Sequence, residues 1–158
     1  MTASIEPARA TDLPAILALL GRSGLPQDGL SDHLATTLVA RAGQRVVGSA
    51  ALELYGAASL LRSVAVDRAQ RGQGVGGQLV LAALDLARQH SATRVYLLTE
   101  TASGYFARFR FRPVARAEVH PAVQGSIEFT IACPASAQAM VLRLTEEGGT
   151  DDPASSRS

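Results

Sequence analysis

"LLRSVAVDRAQRGQGVGGQLV", residues 60–80, decides the architecture. A β-branched, apolar run ends at Val66, a polar turn follows, and glycines at 72, 74, 76 and 77 lead into a second apolar segment. The pattern predicts strand, glycine-rich turn, helix. Glycine at that density weakens a helix, and its usual return is close approach of bare amides to a ligand. The unpaired N–H groups of a first helical turn, backed by the helix dipole, favour an anion. Arg71 adds a full positive charge at the rim. A P-loop is excluded, because Gly77-Gln78 stands where a Lys-Ser/Thr pair is required. A dinucleotide fold is excluded too: no parallel strand-helix-strand unit comes early in the chain, and residues 90–94 hold no acidic residue. Glycines that only permit tight strand-helix packing remain the other reading.

Upstream, "QRVVGSAALEL" (44–54) and the strand ending at Val66 read as an antiparallel hairpin turning through "YGAAS" (55–59). "TDLPAILALLGRSG" (11–24) predicts a first helix, capped by Thr11 or Asp12, with a stripe of Leu13, Ile16, Leu17 and Leu20, and ended by Gly21. Ser31 is expected to cap a second helix reaching about Ala40. Downstream, "GGQLVLAALDLARQH" (76–90) is a helix apolar on most of its circumference and therefore pressed against a sheet. "RVYLLTE" (94–100) is a buried strand, "TASGYFARF" (101–109) a short helix, and "FRPVAR" (111–116) an edge strand marked by Pro113. "SIEFTIAC" (126–133) and "AQAMVLRL" (137–144) are expected to finish the sheet. The class is α/β (α+β), a mixed, mostly antiparallel sheet flanked by helices. Residues 1–144 form one domain, and the polar stretch 145–158 is expected to be a disordered tail.

The 158 residues are 47% hydrophobic and 18% charged, with a net charge of +1, so no general attraction to nucleic acid or membrane follows. The arginines at 108, 110, 112 and 116 read as a solvated face rather than a nucleic-acid stripe. No segment is apolar for long enough to span a membrane, and no signal peptide is expected. A single cysteine, Cys133, excludes an internal disulfide, suits the cytoplasm, and reads as a small core residue. The histidines at 33, 90 and 120 have no metal-ligand spacing, so no metal is expected.

Residues 60–80 resemble the acetyl-CoA signature of the GNAT superfamily of N-acetyltransferases, matching as Gln70, Arg71, Gly72, Gln73, Gly74, Val75 and Gly76. The order of elements over roughly residues 3–144 fits as well. The resemblance implies acetyl-CoA as acetyl donor, its pyrophosphate held by the amides of residues 72–77. It also implies that the strand end at Val64, Ala65 and Val66 pairs with the pantetheine as with a neighbouring strand. A narrower resemblance, through "GLPQDGL", "GAASLLRSVAV", "YLLTETASGYFARFRF" and "IEFTIACPASAQAM", is to the arsenic-resistance N-acetyltransferases; "LLTETASGYFARFRF" is also similar to bacterial N-acetylglutamate synthases. Both imply an amino-acid-like amine as acceptor, with glutamate-like arsenic or phosphorus analogues among the candidates.

Direct attack of an amine on a thioester needs a base, an oxyanion donor and a leaving thiolate. The resemblance implies a backbone N–H near Val64 as the oxyanion donor. Glu53, at the end of an apolar strand, is the candidate base, directly or through a water; the alternative is a Glu53–Arg62 ion pair closing the hairpin. Glu100 is the second candidate, with a helix-capping role as its alternative. For a general acid, many relatives carry a Tyr four residues before a Gly-Phe pair. Here the pair is Arg110-Phe111 and the position holds Phe106, so Tyr105 is one residue off and reads as a packing aromatic before an acid. Strand alternation puts Leu60, Arg62, Val64 and Val66 on one face, making Arg62 the candidate partner for an acceptor carboxylate. His33 is a candidate substrate contact, with a solvated position as its alternative. The reading is an N-acetyltransferase of a small-molecule amine, with room for a homodimer. Its rivals are a CoA-binding regulatory or sensor module without turnover, and a protein N-acetyltransferase.

Overall fold

The structure, a computed structural model, describes residues 3–144. The tail expected at 145–158 lies outside the described residues. Seven strands form one sheet in the order β1-β2-β3-β4-β5-β7-β6. They are β1 (Ser4–Pro7), β2 (Thr37–Ala42), β3 (Arg45–Tyr55), β4 (Ala58–Val66), β5 (Arg94–Thr99), β6 (Arg112–Val114) and β7 (Gln138–Arg143). Every neighbouring pair is antiparallel except β4 and β5. Helix α2 (Val75–Gln89) buries Val75, Leu79, Val80, Ala83, Leu84 and Ala87 against β2, β3 and β4. Helix α1 (Leu13–Arg22) packs on β3 and β4 through Ile16, Leu19 and Leu20. Two short helices, α3 (Ser103–Ala107) and α4 (Pro121–Gln124), complete the set. No helix among the described residues is long and apolar enough to cross a membrane.

Two expected elements are different in the structure. The helix expected from Ser31 to Ala40 is a 3₁₀ segment, Leu30–Thr36, followed by β2. Thr37, Leu38, Val39 and Ala40 are all buried, so this strand shows an unbroken apolar run with no alternation to announce it. The strand expected at 126–133 is a π-helical turn, Glu128–Ala132, closed by the Cys133 N–H donating to Glu128 O at 3.0 Å. Smaller differences are the short strand β1, which has no counterpart in the sequence reading, and α1, which runs through Gly21 to Arg22. Its stripe uses Leu19, while Leu17 is only half-buried. Pro113 does sit on an edge strand, β6.

The feature that positions the site is a β-bulge. Ser49 pairs with Ala65 but Ala51 pairs with Arg62, so β4 carries one extra residue at Ser63, whose φ is +60°. Ser49 Oγ donates to Ser63 O at 2.7 Å, and Arg62 Nε donates to Ser63 Oγ at 3.1 Å. The bulge overturns the expected alternation. Leu61, Val64 and Val66 face α2, while Leu60, Arg62 and Ala65 face the other way. Beyond the bulge β4 also leaves β5: the two pair only through Ala58, Ser59 and Leu60. From Leu61 onward, that edge of β4 has no strand beside it among the described residues.

Candidate active site

The wedge between β4 and β5 holds two cavities that meet at Val64. The larger, about 620 Å³, is lined by Val64, Ala65 and Val66, by Gln70, Arg71, Gly72, Gly74, Val75, Gly76 and Gly77, and by Tyr105, Arg108 and Phe109. Gln73 is not among its lining residues. Gly72 and Gly74 have φ of +84° and +81°, which only glycine adopts freely, and a side chain built on either would meet nothing within 4 Å. The backbone there lies bare to the cavity at the start of α2, whose N-cap is Gly74. Arg71 Nε donates to Val66 O at 3.1 Å, tying the loop to the strand end. Arg108, expected on a solvated face, lies on the cavity wall, its guanidinium 5.6 Å from the centre of the Tyr105 ring.

Tyr105 belongs to this cavity. A methyl group on Gly76 would lie 3.0 Å from Tyr105 Oη, so the hydroxyl sits over the first turn of α2. Its ring packs edge-on against Phe106 and Phe109, and burial raises its pKa. Arg110 has φ of +77°, a left-handed turn that a glycine would make without strain.

The second cavity, about 280 Å³, is lined by Ser23 to Pro26, Leu61 to Val64, Leu97 to Ala102, Phe106, Glu128, Cys133 and Ala137. Arg62 and Glu100 are therefore on its wall; Glu53 and His33 line neither cavity. Glu53 is fully buried, with Oε2 2.9 Å from Arg62 Nη1 and Oε1 accepting from Tyr55 Oη at 2.5 Å. Burial pushes the Glu53 carboxyl up, but hydrogen bonds from Ser126, Tyr55 and Arg62 outweigh it and hold it below its ordinary value. The same contact, after burial, pushes the Tyr55 hydroxyl up to about 12. Such a carboxylate is a counter-ion for Arg62, the ion pair that the sequence left as the alternative to a base. His33 Nε2 lies 3.6 Å from Glu53 Oε2, behind the pair rather than on the cavity wall. Arg62 Nη2 is buried with no hydrogen-bond partner among the described residues.

Glu128 is the group that the sequence reading passed over. The π-helical turn carries it inward, where it is 4% exposed, with Oε2 3.4 Å from Arg62 Nε. Ser126 Oγ, accepting from the Glu128 N–H at 3.1 Å, opens the turn. The Cys133 thiol donates to Glu128 Oε1 at 3.5 Å, so Cys133 is a half-buried wall residue and not part of a strand core. Burial and the Glu128 charge push that thiol up to about 12. Glu100 does not cap α3, whose N-cap, Ala102, receives no side-chain cap; Thr99 Oγ1 accepts from the Ala102 N–H at 3.0 Å in the turn before it.

Comparison with known proteins identifies the family and the fold. The sequence model of the acetyltransferase (GNAT) family matches residues 9–111. No curated protein matches the chain. Among solved structures, Rv2747 from Mycobacterium tuberculosis, in complex with CoA and NLQ, is 27% identical with a TM-score of 0.76, covering 89% of this chain and 99% of its own. The GNAT family N-acetyltransferase YhbS from Escherichia coli, in complex with CoA, is 26% identical with a TM-score of 0.69, covering 92% of this chain and 83% of its own. N-acetylglutamate synthase from Neisseria gonorrhoeae shares the fold at 21% identity and a TM-score of 0.79; the match covers 92% of this chain and 36% of the synthase.

Proposed function

The chain belongs to the acetyltransferase (GNAT) family, with acetyl-CoA as donor, and from that premise we propose that it acetylates the amine of a small amino-acid-like acceptor. One observation carries the acceptor class: a single cavity, joined at Val64 to the donor cavity, has both a cation, Arg62, and an anion, Glu128, in its wall. An amino acid presents the complementary pair, an ammonium and a carboxylate. The unpartnered Arg62 Nη2 is the donor suited to that carboxylate. The likeness to Rv2747, whose structure holds CoA and NLQ together, supports a site that takes CoA and a second small molecule at once.

In this reading the amides of residues 72–77 and the start of α2 hold the donor's pyrophosphate, with Arg71 and Arg108 adding charge. The open edge of β4 at Val64, Ala65 and Val66 takes the pantetheine in place of a strand, and the Val64 N–H faces the developing oxyanion. A thiol leaves tolerably as thiolate, so Tyr105 serves donor binding and no acid is required. The resemblance to the arsenic-resistance enzymes extends the acceptors to glutamate-like arsenic and phosphorus amino acids. Capture of arsenic itself does not fit, because trivalent arsenic seeks several thiolates and this chain offers one protonated thiol. A reducing cytoplasm is the setting that keeps such a thiol free.

The test is an acceptor screen with acetyl-CoA, read as thiol release, over amino acids, their decarboxylated amines and glutamate-like analogues. Amino acids should turn over and the decarboxylated amines should lose at least tenfold in kcat/KM. Equal use of both sets would remove the carboxylate from recognition.

A further inference from the structure

We propose that Glu128 is the catalytic base, taking the proton from the acceptor's ammonium group in the cavity it shares with Arg62 and Val64. The assignment rests on the acetyl-transfer reading and deepens it. Its ground is the way two buried carboxylates divide one guanidinium. Glu53 holds Arg62 Nη1 at 2.9 Å and accepts from Tyr55, and it lines neither cavity. Glu128 stands 3.4 Å from Arg62 Nε, but that N–H is directed to Ser63 Oγ at 3.1 Å. Its other neighbour is a thiol, a weak donor. One carboxylate is therefore satisfied and away from both cavities, while the other is poorly satisfied and borders the second cavity. When environments drive two such groups apart, the satisfied one stays ionised and the other exchanges protons.

The charged groups around Glu128 are Arg62 from β4, Glu53 from β3 and Asp28 from the loop before the 3₁₀ segment; the neutral Cys133 thiol stands beyond the π-helical turn. Burial raises the Glu128 pKa, Arg62 and the thiol oppose that, and the charges of Glu53 and Asp28 add to it. A carboxyl moved toward neutrality is the better base for work near pH 7. Glu100, across the same cavity, is exposed and makes no hydrogen bond or ion pair among the described residues.

Glu128 takes one proton from R–NH₃⁺, and the freed nitrogen lone pair forms the C–N bond at the thioester carbonyl. The tetrahedral adduct breaks its C–S bond and the electron pair leaves on sulfur. The second nitrogen proton passes to that thiolate, and the proton on Glu128 goes to solvent. The products are the amide, the CoA thiol and one proton.

The experiment compares wild type, Glu128→Gln and Glu128→Asp by kcat against pH, acetyl-CoA binding by calorimetry, and NMR titration with ¹³C-labelled glutamate. Glu128→Gln should lose about 10²–10⁴-fold in kcat and bind acetyl-CoA within threefold of wild type. Its remaining rate should climb with pH as the acceptor's ammonium group loses its proton unaided, and Glu128→Asp should recover part of the loss. A wild-type resonance, absent in Glu128→Gln, should titrate above the ordinary glutamate value of about 4.3. A Glu128→Gln rate within fivefold of wild type, or a loss equal at every pH, overturns the assignment. If the wild type acetylates no amine, the acetyl-transfer reading fails, and the titration still decides the carboxyl: a Glu128 resonance at or below the ordinary value sinks it.

Discussion

Glu53→Gln separates the ion-pair role from the base role at one atom. Glu53 and Arg62 side chains are 1% and 0% exposed, with 2.9 Å between Oε2 and Nη1. Removing one charge of a buried pair leaves the other uncompensated, at a cost of about 3–5 kcal/mol. The lower end applies here, because Glu128 is already 3.4 Å from Arg62 Nε and can take over the guanidinium. About 3 kcal/mol lowers the melting temperature of a chain this long by roughly 6–12 °C. Because Glu53 is held below its ordinary value, the stability it supplies is present above the unfolded carboxylate value of 4.5 and is lost as pH falls through the folded one. The deficit should therefore be full at pH 7.5 and shrink in acid. Glu128 meanwhile loses a repelling neighbour and gains an undivided partner, so it becomes a weaker base, and the acid limb of kcat moves to lower pH. A base lost outright would abolish that limb and concentrate the damage at low pH. Thermal melts with kcat profiles from pH 5.5 to 9 distinguish the two. A variant melting within 2 °C of wild type, with its rate loss confined to low pH, would refute the ion-pair account and return Glu53 to the chemistry.

Three further outcomes are expected. Gly74→Asp should abolish acetyl-CoA binding in calorimetry while leaving a folded chain: φ is +81°, a conformation Asp tolerates better than most residues, and the side chain enters open space where pyrophosphate is expected. Binding within a few-fold of wild type would take the loop out of the donor site. Asp12→Asn should cost about 1–2 kcal/mol at pH 7, discounted for a partly screened pair. The Arg41 guanidinium (3.0 and 2.8 Å), then the Arg9 amide, holds the Asp12 carboxyl at about 2. Its contribution is present above the unfolded 3.8 and lost as pH falls through 2, so urea midpoints of the two chains should converge below pH 4; a gap unchanged at pH 3 would contradict the pairing. Cys133, with its thiol pushed up to about 12, should alkylate with iodoacetamide at pH 8 on the order of 10³-fold more slowly than free cysteine. Glu128→Gln should speed that reaction, and alkylation at the free-cysteine rate would refute the Glu128 contact.

The larger cavity's lining was legible in the sequence, whereas of the second cavity's charged pair only Arg62 was, for a reason that lies in how each is built. The cavity proposed for the donor is lined largely by a contiguous stretch, residues 64–77, where glycine spacing reports directly on φ and on open amides. The acceptor half is a side-chain network drawn from β3, β4 and the 126–133 turn, and no local pattern records who meets whom. Arg62 shows the first failure. Period-two alternation puts it beside Val64, but a single bulge at Ser63 sends the two residues to opposite faces, and a serine at φ +60° leaves no mark in the sequence. Glu128 shows the second. Ile127, Phe129 and Ile131 alternate as a strand would, and that periodicity outvotes Ser126, whose hydroxyl fixes the first turn of a π-helical segment instead. The π-turn matters chemically, since a strand at 126–133 would point alternate residues to opposite faces and give Glu128 no privileged route inward. Bulge and π-turn are both one-residue departures from regular structure, and both aim a charged side chain at the same guanidinium-lined cavity. The positions where regular periodicity fails are thus the positions that build the cavity proposed for the acceptor.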